Sequence, residues 1–86
     1  MDEPQIIFRE ADEALEFVRP LVVEDDSFAI AIADDMTITG QPDPIGAGIA
    51  AILDVILRKG FEPDGYDQND GYRLYKYKRM SGRLPN

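Results

Sequence analysis

At 86 residues, with 44% apolar and 30% charged side chains, the chain has the make-up of one small folded domain rather than a disordered segment. It contains no Cys and no His, which removes disulfides, a thiolate nucleophile, the usual zinc ligands and the commonest general base near neutral pH. Its 17 acidic residues outnumber 9 basic ones for a net charge of −8, a balance that repels nucleic acid at long range.

The opening Met1-Asp2-Glu3-Pro4 is acidic where a secretory signal would be basic, and no apolar stretch of signal length follows. The longest nearly uncharged run, Pro44 to Leu53, falls well short of the roughly 20 residues that span a bilayer. These features lead to the expectation of a cytoplasmic protein with no membrane contact. Gln5-Ile6-Ile7-Phe8 is β-prone and gives way at Arg9 and Glu10 to helical spacing. A helix is expected over residues 10–19, with Ala11, Ala14, Leu15 and Val18 on one stripe. Asp12 and Glu13 sit in its first turn, where the helix dipole favours anions, and Pro20 stops it.

After Leu21-Val22-Val23 and the acidic turn Glu24-Asp25-Asp26, Phe28 to Ala33 alternates large and small with period two. Phe28, Ile30 and Ile32 share one face of this strand. The other face carries only Ala, so it is either closely packed or thinly covered. Asp34-Asp35 reads as a turn into a hairpin partner, Met36 to Thr39. Asp43 is a good N-cap and Pro44 suits a first helical position. Ile45, Ile49, Ile52, Leu53, Ile56 and Leu57 then fall within about 100° of helical arc, and Gly60 closes the helix. Pro63-Asp64-Gly65 and Asn69-Asp70-Gly71 are turn signals that precede a strand, Tyr72 to Arg79. Arg73, Tyr75, Tyr77 and Arg79 share one face of that strand, and Tyr72, Leu74, Lys76 and Lys78 the other. This weak one-sidedness suggests an edge strand.

The order βαββα plus one or two strands predicts an α+β two-layer sandwich. In it two helices cover one face of an antiparallel sheet, and a ferredoxin-like (βαββαβ) plan is favoured. One domain is expected over residues 1–80, with a flexible tail at 81–86.

Gly46, Gly48 and Ala51 fit a G-x-G-x-x-A pattern at a helix start, where backbone N–H groups can hold phosphate. The intervening Gln41-Pro42-Asp43-Pro44 and the acidic surroundings oppose that use, and close helix packing through small residues is the simpler reading. Asp64, Asp67, Asn69 and Asp70 cluster oxygen ligands but miss EF-hand spacing, because the loop's Glu position, counted from Asp67, is Lys78. No Asp or Glu stands two residues before a Lys, as a metal-dependent nuclease would need, and the acidic pairs sit in turns of a domain too small for a deep sugar cleft. No catalytic residue, cofactor or metal is therefore expected, and the chain is read as not an enzyme.

Charge is unevenly placed. Residues 72–86 hold Arg73, Lys76, Lys78, Arg79 and Arg83 with no acid, a net of +5, so the preceding 71 residues hold the other 4 bases and all 17 acids, a net of −13. A basic strand can simply neutralise acidic neighbours within the domain. It can also meet a partner, and the candidate contact residues are Tyr72, Arg73, Tyr75, Lys76, Tyr77, Lys78 and Arg79. The expectation is a non-catalytic protein-interaction module, adaptor-like or inhibitor-like, whose acidic surface suits a basic protein. The alternative is a small-ligand-sensing regulatory domain that forms a homodimer through an edge strand.

Overall fold

The computed structural model describes residues 6–43 and 46–80. Strand β1 (Ile7–Glu10) runs straight into helix α1 (Ala11–Val18), and the chain returns along strand β2 (Ser27–Ile38). A short strand β3 (Gln41–Pro42) precedes helix α2 (Ala47–Arg58), which leads to strands β4 (Phe61–Asn69) and β5 (Tyr72–Arg79). Among the described residues the result is a small α+β domain of five strands and two helices. The sheet order is β1-β2-β5-β4, with β3 hanging from β2.

Because α1 carries the chain back to its starting side, β1 pairs with β2 in parallel. β5 is antiparallel to both β2 and β4, so β4 runs with β2 and α2 is the crossover between them. The sheet is therefore mixed, and the antiparallel ferredoxin-like order expected from the element sequence is not the one adopted. β5 lies at the centre of the sheet rather than at its edge.

Register places the large side chains together. Phe8 sits opposite Ile32, Ile30 opposite Tyr75, and Phe28 opposite Tyr77. Over this face lie both helices. α1 buries Ala11, Ala14, Leu15 and Val18, the stripe its spacing predicts. α2 buries Ile52 and Ile56 fully, whereas Ile49 and Leu53 pack at the margin and Leu57 is 38% exposed. Pro44 and Ile45 lie outside the described residues, as do Gln5 and the tail expected at 81–86.

The start of α2 shows why its small residues matter. A Cβ on Gly48 would come within 2.8 Å of the Ala11 Cβ and 3.0 Å of the Met36 Cε, so only glycine lets the two helices approach this closely. Asp43 does cap α2, but from outside the expected position: the N-cap residue is Gly46, in the left-handed region at φ 73°. The Asp43 carboxylate accepts from the N–H groups of Ala47 at 2.9 Å and Gly48 at 2.8 Å. These amides are thus occupied by the chain's own anion, and the glycine pattern serves helix packing.

Two expected turns are strand instead. Asp34 and Asp35 stay within β2: the Asp34 N–H donates to Gly71 O at 3.0 Å, and Asp35 pairs with Arg9 at 3.6 Å. The hairpin turn comes later, at Thr39 and Gly40, both with positive φ, and brings Gln41 opposite Ile38. The Glu10 carboxylate accepts from Thr37 Oγ1 and from the Gly40 N–H at 2.9 Å, fixing this hairpin to β1. Pro63-Asp64-Gly65 is a bulge inside β4, with Gly65 at φ 85° and a register shift between Pro63 and Tyr66. Asp70-Gly71 is a true hairpin turn, which sets Asn69 opposite Tyr72. Among the described residues no helix is long and apolar enough to cross a membrane.

Candidate functional site

β5 divides its side chains between two environments. On the helix side, Tyr77 is buried, its ring 5.3 Å from Phe28, which in turn meets Phe61 edge-on at 5.0 Å. Burial pushes the Tyr77 phenol up to about 12, because the anion would lose its water. Arg79 lies over the Phe61 ring at 4.7 Å and donates to Asp26 Oδ1, Asp25 O and Val23 O at 3.2, 2.8 and 3.3 Å. It fastens the loop after α1 to the sheet. These two of the seven expected contact residues belong to the fold itself.

The other side of the sheet carries no helix among the described residues. Here register lines up Ile7, Ala31, Leu74 and Asp67 across four strands, with Ala33 beside Tyr72 and Ala29 beside Lys76. Ala31 and Ala33 are only 2% and 3% exposed, so their larger neighbours close over them, and the row is an apolar strip from Ile7 to Leu74 that ends on Asp67. The lysines bend away from that strip toward β4. Lys76 Nζ lies 3.6 Å from Asp67, and Lys78 Nζ 4.0 Å from Asp64. Tyr72, Lys76 and Lys78 therefore share one surface, which combines an apolar centre with a charged rim.

Arg73 and Tyr75 face a third place, a cleft of about 250 Å³ between the start of α2 and the ends of β2, β4 and β5. The Arg73 guanidinium sits 5.0 Å from the Tyr66 ring centre, donating through Nε to Gln68 Oε1 at 2.8 Å and through Nη1 to Tyr75 Oη at 3.3 Å. The bond to Tyr75 is the largest of the influences that raise the Arg73 pKa above its ordinary value. Gln68 Nε2 turns the other way and reaches both Asp34 oxygens at 3.2 Å. Ile32, Met36 and Ile49 supply the apolar part of the lining, and Asp43 and Gly46 close it at the helix end.

Sequence reading named Arg73 and Tyr75 but missed Asp34, Gln68 and Tyr66. A usable signal was present: a two-residue turn at Asp70-Gly71, counted inward, places Gln68 opposite Arg73, as the register confirms. Asp34 was hidden by its reading as a turn residue. Compared with known proteins, the chain matches no family model, no curated relative and no solved structure.

Proposed function

We propose that this chain is a non-catalytic protein-interaction module that docks a basic protein across its bare sheet face. One observation carries the reading: the strip Ile7, Ala31, Leu74 and Tyr72 lies on a face without a helix, while Lys76 and Lys78 are drawn aside to carboxylates. An apolar centre that excludes water, ringed by charge, is how protein interfaces are built. The −8 net charge steers a basic partner toward the molecule. With Asp67 paired to Lys76 and Asp64 to Lys78, Glu62, opposite Lys78 on the rim, is the carboxylate that gives that partner's cations somewhere to land.

Pairing of two copies through β4 fits less well. Pro63 offers no N–H, the bulge at Asp64-Gly65 interrupts the ladder, and Glu62, Asp64 and Asp67 would meet their own likes. A cytoplasmic setting accords with a chain lacking Cys.

The test is capture from a native extract by immobilised wild-type protein and by Leu74→Asp, at ~10 mM and ~1 M salt, where the Debye length falls from ~30 to ~3 Å. A specific protein held by the wild type at low salt, and released by either salt or the substitution, is the expected result. Retention indifferent to both, or none at all, would remove the proposal. A thermal melt of Leu74→Asp confirms that the variant is folded.

A further inference from the structure

We infer that the cleft beside Arg73 is a binding site for a small zwitterion of the free amino acid type, with an aliphatic side chain. Arg73 is held in place by Gln68, Tyr75 and the Tyr66 ring, yet its Nη2 makes no hydrogen bond to any described residue, and no carboxylate lies within 4 Å of the guanidinium among them. Among the described residues Arg9, Arg58 and Arg79 each have an acidic partner, whereas Arg73 and Arg19 have none, and of these two only Arg73 lines the cleft. A guanidinium fixed by neutral groups and left one free N–H edge is prepared for a carboxylate from outside.

The rest of the cleft selects what that carboxylate is attached to. Across Gln68 stands Asp34, whose two oxygens each accept from Nε2 at 3.2 Å, an amide also drawn to Asn69 O at 3.0 Å and Tyr72 O at 3.1 Å, so the carboxylate keeps lone pairs for an ammonium group. Asp43 adds a second carboxylate to the lining, so the local charge is one cation against two anions. That sum rejects phosphate and other multiply charged anions, tolerates a plain carboxylate poorly and accepts a molecule that brings its own cation. Ile49 and Met36 line the apolar wall, and a cleft of about 250 Å³ lies just under the roughly 300–1,000 Å³ of sites for drug-sized ligands, which suits a small molecule such as leucine. The inference is independent of the sheet-face proposal, because the cleft opens on the helix side.

The experiment is a thermal melt and a calorimetric titration of the intact chain with leucine, isocaproate (no amine), isopentylamine (no carboxylate) and inorganic phosphate. Leucine is expected to raise Tm by about 10 °C or more at a hundredfold excess over its Kd, while each analogue gives less than half that shift. Arg73→Gln and Asp34→Asn, both exposed and expected to melt near the wild type without ligand, should each weaken leucine at least about tenfold. An isocaproate shift equal to that of leucine, a shift with phosphate alone, no shift with any of the four, or leucine binding unchanged in Arg73→Gln would each overturn the inference.

Discussion

The two faces of β2 are built from the same strand and differ only in parity. Phe28, Ile30 and Ile32 meet the helices and form the core, whereas Ala29, Ala31 and Ala33 form the floor of the opposite face. On the first face a large side chain is anchored by a layer laid over it. On the second the strand's own neighbours, Ile7 and Leu74, do the covering. Stability is thus concentrated on one side of the sheet, which leaves the other free to be shaped by what it meets.

That asymmetry breaks down fastest at the covered face. Ile56→Ala should cost about 2–5 kcal/mol, a large share of the ~5–10 kcal/mol expected for a domain of this size, and Ile56→Asp should prevent folding; urea denaturation reads both. Raising pH attacks the same layer from within. Tyr77 has a folded pKa above its unfolded value near 10, so its contribution is complete below about pH 10 and is lost as pH climbs toward about 12. A tyrosinate absorbance step near 12 that is absent in Tyr77→Phe checks it.

Gly48→Ala sharpens the comparison at the helix crossing. Helical propensity gains up to ~1 kcal/mol, but the added methyl lands 2.8 Å from Ala11 and forces the helices apart, so a net loss of about 1–2 kcal/mol is expected. Asp43→Ala removes a cap shared by two amides and should cost about 1 kcal/mol. The smallest effect belongs to the bare face. Lys76→Ala breaks an exposed pair and should move stability by no more than about 0.5 kcal/mol in the same urea assay.

Much of this architecture was legible because pattern and burial agreed. The stripe of α1 and the bounds of Tyr72–Arg79 follow directly from spacing. The errors share a physical cause, which is that polar residues have more than one use. Asp34-Asp35 and Pro63-Asp64-Gly65 carry turn chemistry, yet the first pair continues a long strand, with Asp34 bonded to Gln68 in the cleft and Asp35 paired with Arg9, and the second trio makes a bulge. Lys76 and Lys78 carry the kind of charge an edge strand shows. In a sheet covered on one side only, a central strand also shows charge on its open face, so the lysines report a bare face instead. The cleft was least visible because it draws on β2, β4, β5 and the approach to α2, segments brought together only by strand order.

The position of β5 has a consequence for how the protein is made. Of the described strands, the one latest in sequence is inserted between two that precede it, pairing with β2 over Tyr72–Lys78 and with β4 on its other side. While a ribosome adds roughly 5–20 residues per second, everything through Gly71 emerges with both flanking strands still lacking their shared neighbour. A chain truncated before Tyr72 should therefore remain protease-sensitive, and protection should arrive abruptly once the truncation point moves past Arg79.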